Sequence, residues 1–176
     1  MWFGRSAPVC QRCAGTSERS PAASQQYVDL HTHTCHSDGT YTPAEVIERA
    51  VALGFSAIAI ADHDTLAGVP EAQAHADKLG IEYLPATEIS ARFGPAEIHI
   101  LGYGVRLDNP ELNEELKALC DSRANRAEQI VDKLNKLGVE VLLDKIHERA
   151  NGGAIGRLHI AQEIHTKGYT RTVQQG

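Results

Sequence analysis

The sequence predicts an α/β fold, with a parallel sheet or barrel whose strands alternate with helices. Three observations predict it. Short apolar runs of strand length recur at 27–31, 56–61, 81–86 and 98–103. The stretches between the first three runs space their apolar residues as helices do. Each run carries a potential metal ligand at or near its C-terminal end, or within it, and that edge is where parallel β/α folds assemble their sites.

The elements follow in order. Residues 1–26 show no apolar periodicity and are rich in Ser, Ala, Arg and Gln, so they are expected to be a disordered extension. Cys10 and Cys13 form one CxxC there, a weak zinc or redox signal because no second pair completes a tetrahedral site. The first strand is expected at 27–31. A helix then starts at Pro43, with Thr42 as N-cap and Glu45 in the first turn. Val46, Ile47, Ala50, Val51 and Leu53 give its apolar face, and Gly54 ends it. Ser56 to Ala61 reads as a buried strand, 65–79 as a helix closed by Gly80, 81–86 as a third strand and 98–103 as a fourth. Beyond Leu107 the rhythm becomes helical. A long helix opens at Asn109-Pro110 and reaches Leu137, short ones follow near 144–150 and from Arg157 to Gly168, and Asn151-Gly152-Gly153 turns between them. The expected division is 27–108 for the β/α part and 109–176 for a helical insertion.

The bulk properties exclude some partners. A chain of 176 residues with 42% hydrophobic content suits one domain with a real core. A formal charge of -6 argues against stable binding of duplex nucleic acid, which needs a basic face. A small phosphorylated substrate stays open, because bound cations supply local positive charge. No apolar run approaches the ~20 residues of a membrane span, and the N-terminus has no secretory apolar core. The expected location is cytoplasmic, away from membranes.

The chemistry concentrates in Tyr27 to Gly39, YVDLHTHTCHSDG. Residues two apart on a strand point the same way, so His31 and His33 face one point, as a chelate requires. Asp38 follows in a loop that Gly39 lets turn sharply. His63 stands in IADHD, Glu88 in LPATE and His99 in IHILGY. Imidazole and carboxylate together suit zinc, manganese or iron. Each residue also has an ordinary reading: a capped loop for His63, a surface acid for Glu88, a packed strand residue for His99. Asp62 and Asp64 either cap that loop or act as catalytic-site acids that orient a ligand. Arg123 shares the register of Leu116, Leu119, Ala127 and Ile130, so it faces inward and needs an anion. A substrate phosphate, Glu128 or Asp121 are the alternatives, besides snorkelling.

Taken together, HTHTCHSDGTYTP, AIADHDTLAG, LPATEIS and IHILGY resemble the PHP (polymerase and histidinol phosphatase) superfamily, and within it the small stand-alone phosphoesterases. The resemblance implies a distorted, TIM-like, seven-stranded β/α barrel with two or three divalent metal ions (Mn, Zn or Fe). It implies His31 and His33 as ligands of one metal, Asp38 and His63 of another, Glu88 as bridge and His99 as a further ligand. GRLHIAQEI resembles the family's GRPHIA segment, which makes Arg157 and His159 candidate substrate contacts. The implied activity is hydrolysis of phosphate esters of small nucleotides or short oligonucleotides by metal-bound hydroxide. A histidinol-phosphatase type, a polymerase-associated exonuclease module and a non-catalytic metal-binding fragment are the alternatives.

Three positions depart mildly from the family pattern: Ala61, Ala86 and Leu158. The family's later AHP histidine and terminal Asp-x-His find no match after His99. The expectation is therefore an incomplete barrel, truncated at its C-terminus, with weakened metal binding and catalysis.

Overall fold

The computed structural model describes residues 27–176. The expected extension and the Cys10/Cys13 pair lie outside the described residues. Strand β1 (Tyr27–Thr32) pairs in parallel with β2 (Phe55–Ile60), and β2 pairs in parallel with the two-residue β3 (Glu82–Tyr83). Helix α1 (Pro43–Ala52) connects β1 to β2, and α2 (Val69–Leu79) connects β2 to β3. The α1 start follows from local chemistry. Thr42 accepts from the Glu45 backbone N–H at 3.2 Å, and the Glu45 carboxylate accepts from the Thr42 N–H at 2.8 Å, a reciprocal capping box.

Helix α2 begins four residues later than the spacing predicts. Pro70 is the cause: it lacks a backbone N–H and fits a helix only in the first turn. Residues 65–68 form a turn instead.

The larger correction concerns 81–103. Here the expected third strand, 81–86, shortens to β3, and the expected fourth, 98–103, is one arm of a hairpin, β4 (Ala86–Phe93) antiparallel to β5 (Ala96–Tyr103). Gly94 and Pro95 alone separate them, with Gly94 at φ +60°. A parallel crossover needs a dozen or more residues, so this spacing permits a hairpin and nothing else. The described residues hold five strands. The hairpin joins the first sheet by one backbone bridge, and the Tyr103 hydroxyl also donates to the Leu30 carbonyl of β1 at 3.0 Å. The Glu88 N–H donates to the Asp62 carbonyl at 3.1 Å, and the Asp64 N–H donates to the Glu88 carbonyl at 3.0 Å. That parallel bridge sets His63 beside Glu88.

Two large apolar clusters hold the molecule, beside a small one of Ala59, Ala61 and Ala86. One packs Ile47, Ile58, Ile60, Val69 and Ala72 with Leu116, so it joins α1, α2 and β2 to the start of the long helix α3 (Pro110–Lys136). The other packs Val131, Val141, Ile146 and Ile160, joining the end of α3 to α4 (Leu143–Ala150) and α5 (Arg157–Thr166). Full burial of an Ile such as Ile47 or Ile146 is worth about 1.5–3 kcal/mol. By contrast β1 leaves Tyr27, Val28 and Leu30 exposed, and β5 exposes Ile98 and Ile100. Among the described residues no helix is long and apolar enough to cross a membrane.

Candidate metal centre

Four imidazoles and two carboxylates meet at the C-terminal ends of β1 and β2 and on the hairpin. Strand β1 delivers His31, and the residue after its end is His33. The segment after β2 delivers His63. Glu88 is the third residue of β4, and His99 lies on β5, so Glu88 is a strand residue rather than a loop acid.

Glu88 is the hub. Its Oε2 lies 2.7 Å from His31 Nε2, 3.1 Å from His33 Nε2 and 3.8 Å from His63 Nδ1. Its Oε1 lies 2.8 Å from His99 Nδ1. Asp38 sits on the far side of the two middle rings, 3.6 Å from His33 Nδ1 and 3.5 Å from His63 Nε2. His31 is less enclosed than two converging imidazoles suggest, with 47% of its side chain exposed against 9% for Glu88. The reason is its place on β1, which has β2 on one side and no described strand on the other.

The electrostatics fit a cationic guest. Asp38 is held at about 2, first by its hydrogen bond with His63 and then against the opposing pull of burial. Burial opposes ionisation of Glu88, but the His31 hydrogen bond and the charges of His63, His33 and His31 outweigh it and lower its pKa. Burial pushes His33 below its ordinary value, toward the neutral form that binds metals. His63 Nδ1 is buried without a hydrogen-bond partner. A buried lone pair left without a donor is costly, and a cation would satisfy it.

Three groups could hold an ion: His31–His33–Glu88, His33–Asp38–His63 and His63–Glu88–His99. A neutral imidazole brings one lone pair, so the middle group competes with both others for His33 and His63. The outer two share Glu88 alone, whose two oxygens can bridge a pair of ions.

The remaining expected residues divide. Asp62 accepts from the Thr34 N–H at 2.7 Å, from Thr34 Oγ1 at 2.6 Å and from Ser37 Oγ at 2.6 Å. It therefore fixes the loop that carries Asp38 and bonds to no imidazole. Asp64 adopts a positive φ of 55°, which Asp tolerates better than most residues. It accepts from Ser90 N and Ser90 Oγ, each at 2.7 Å, and from Arg123. Arg123 is thus inward-facing as expected, but its anion is Asp64, not Asp121 or Glu128. Arg157 is exposed and reaches Glu97 at 3.2 Å.

His159, an expected substrate contact, is buried. It is 4% exposed, and its Nδ1 accepts from the Gly156 N–H at 3.0 Å. Burial lowers its pKa, while the Asp38 charge and the Ser37 backbone pull the other way. Packing of the α5 start on the Asp38 loop is what removes it from solvent.

Sequence reasoning missed Thr34, Ser37 and Ser90, whose partners lie 25 or more positions away and leave no local signal. It also missed a groove of about 520 Å³ lined by Arg92, Arg123, Arg126 and Arg157, with Glu97 between them. Arg126 pairs with Glu97 at 3.0 Å.

This geometry has known relatives. The profile of the PHP domain matches residues 29–172. The chain belongs to the PHP domain family. Its PHP domain is 37% identical over 136 residues to a 5'-3' exoribonuclease of Haemophilus influenzae, covering 77% of this chain and 49% of that protein. It is 34% identical over 148 residues to the 3',5'-nucleoside bisphosphate phosphatase of Chromobacterium violaceum, covering 84% and 52%. A crystal structure described as a metal-dependent phosphoesterase, from Bifidobacterium adolescentis, superposes with a TM-score of 0.80 at 31% identity, covering 86% of this chain and 54% of that one. The chain thus spans about half the length of the curated relatives it matches.

Proposed function

We propose that this PHP domain contributes the metal-holding part of a hydrolase that cleaves phosphate esters of small nucleotides or short oligonucleotides. One observation carries the reading. Four imidazoles converge on Glu88, and one of them, His63, keeps a buried lone pair that no protein donor satisfies. The names of the relatives support a phosphorylated, nucleotide-like substrate.

The proposed ligands are His31, His33, Asp38, His63, Glu88 and His99, holding two or three ions of zinc, manganese or iron. Divalent ions bound there would supply Lewis acidity and an activated water for attack on phosphorus. The protein's own residues do the rest. Glu88 would hold cations through both of its carboxylate oxygens, and Asp62 holds the Asp38 loop. Asp64 fixes Ser90 and Arg123. Arg157 and Arg123 line the groove in which an anionic substrate would lie. Helices α3 to α5 act as an insertion, of which α3 and α5 wall this groove, and the strands form part of a seven-stranded barrel. The open side of β1 and the exposed Val28 and Leu30 support that barrel. Free Cys35 and Cys120 thiols accord with a cytoplasmic setting.

The test is hydrolysis of a nucleoside 3',5'-bisphosphate and of a short RNA, with and without manganese. The reading expects manganese-dependent release of phosphate or mononucleotide that His31→Ala abolishes. Equal activity in a chelator would contradict it. Metal bound without any turnover would favour a binding module.

A further inference from the structure

The helical block also meets the loop that carries Asp38, and the contacts there are close. The Ala154 N–H donates to the His36 carbonyl at 2.9 Å. Gly153 lies so near that an added Cβ would stand 2.4 Å from the same carbonyl oxygen, which no side chain tolerates. A Cβ added to Gly156 would sit 3.8 Å from Asp38 Cβ, at ordinary van der Waals contact, so the start of α5 lies beside the ligand residue. Behind it, the buried His159 ring closes the turn by accepting from the Gly156 N–H at 3.0 Å. The loop under this segment is already tied from below. Asp62 takes Thr34 and Ser37, and the Ser37 and Gly39 N–H groups both donate to the Thr34 carbonyl, at 3.0 and 2.9 Å. Asp38 is therefore held between two anchors, one on β2's end and one on the start of α5.

We infer that Gly153–His159 is a clamp that holds the Asp38 carboxylate against His33 and His63, and that His159 is a positioning residue for metal binding. This rests on the metal reading above. Groups that orient metal ligands from behind typically change affinity by about 10–100-fold when removed. The cause is preorganisation: a ligand loop free to wander must be ordered when the ion binds.

The experiment titrates the full 176-residue chain with Co2+ by calorimetry and follows the visible absorption that the bound ion acquires from its ligands. His159→Ala should weaken binding about 10-fold or more and change the absorption as Asp38→Ala does. Asp38→Ala combined with His159→Ala should be no worse than Asp38→Ala alone, because the clamp acts through Asp38. His159→Asn keeps an acceptor for the Gly156 N–H and should restore part of the affinity. If His159→Ala fails to fold by circular dichroism, Gly153→Ala, which displaces the loop from the other end of the clamp, should reproduce the weakened binding.

Binding by His159→Ala and Gly153→Ala equal to wild type would overturn the clamp while leaving the metal reading intact. So would an additive loss in the double variant. Absence of Co2+ binding by the wild-type chain would instead overturn the metal reading, and the clamp with it.

Discussion

Arg123 and Asp64 form an ion pair between side chains that are 7% and 0% exposed. Ser90 serves both partners. It donates to Asp64 from its N–H and its hydroxyl, and its hydroxyl oxygen accepts from Arg123 Nη2 at 2.6 Å. Three elements are thereby locked to one another: the turn after β2, strand β4 and helix α3. The lock stands two residues from Glu88 along β4, so it also fixes the hub of the centre.

Arg123→Met should destabilise the chain by about 3–5 kcal/mol, because it leaves the Asp64 charge buried without its partner. Adding Asp64→Asn should recover part of the loss, since the orphaned charge is then gone. Urea unfolding followed by circular dichroism measures both. A loss below about 1 kcal/mol for the single variant would mean that the pair is not closed in solution.

Glu88 belongs to two of the three ligand groups and His31 to one. Glu88→Gln should therefore weaken two bound manganese ions, by at least about 10-fold, whereas His31→Ala should weaken one. Elemental analysis of metal per chain after dialysis distinguishes these patterns. Identical stoichiometry in the two variants would contradict Glu88 as the shared ligand.

Glu97 occupies the arginine groove by pairing with both Arg126 and Arg157. These pairs are partly exposed and individually weak, so removing the carboxylate should free the two guanidinium groups for an anionic guest. Glu97→Gln is expected to tighten binding of a nucleoside 3',5'-bisphosphate about two- to five-fold, and Arg157→Ala to weaken it. Calorimetry in low salt reads both. Tighter binding by Arg157→Ala would place the substrate elsewhere.

Much of this was readable before the fold was known, for a physical reason. His31 and His33 share a strand side by period two, and Thr42, Pro43 and Glu45 write their own helix start. The inward register of Arg123 was equally local. Its partner was not, because Asp64 meets it across 59 positions. The hairpin was legible in the two-residue Gly94-Pro95 gap, yet the βα rhythm before it outweighed that signal. The burial of His159 had no local mark at all, since it arises where α5 lands on a loop more than a hundred residues earlier.

Acid should weaken the metal-free chain in two stages. Asp38 is held at about 2 by its hydrogen bond with His63, against an ordinary value of 3.8. Burial works against ionisation of Asp64, but the bonds from Ser90 and Arg123 outweigh it and lower its pKa from 3.8. The folded values lie below the unfolded ones, so the unfolded chain takes up protons first as pH falls. Their contribution is complete above 3.8 and is lost as pH falls below it, that of Asp38 as pH approaches about 2. His33, lowered from 6.5 mainly by burial, adds a shallower loss that begins below 6.5. The urea midpoint should decline gently below pH 6.5 and steeply below about 4. A midpoint that rises on acidification over that range would contradict these directions.

The most direct measurement is anomalous diffraction from a crystal of the chain soaked in manganese. Peaks are predicted against His31 and His33 and against His63, with Glu88 and Asp38 both among the ligands. Peaks remote from Glu88, or none in a crystal that binds manganese elsewhere, would contradict the shared centre.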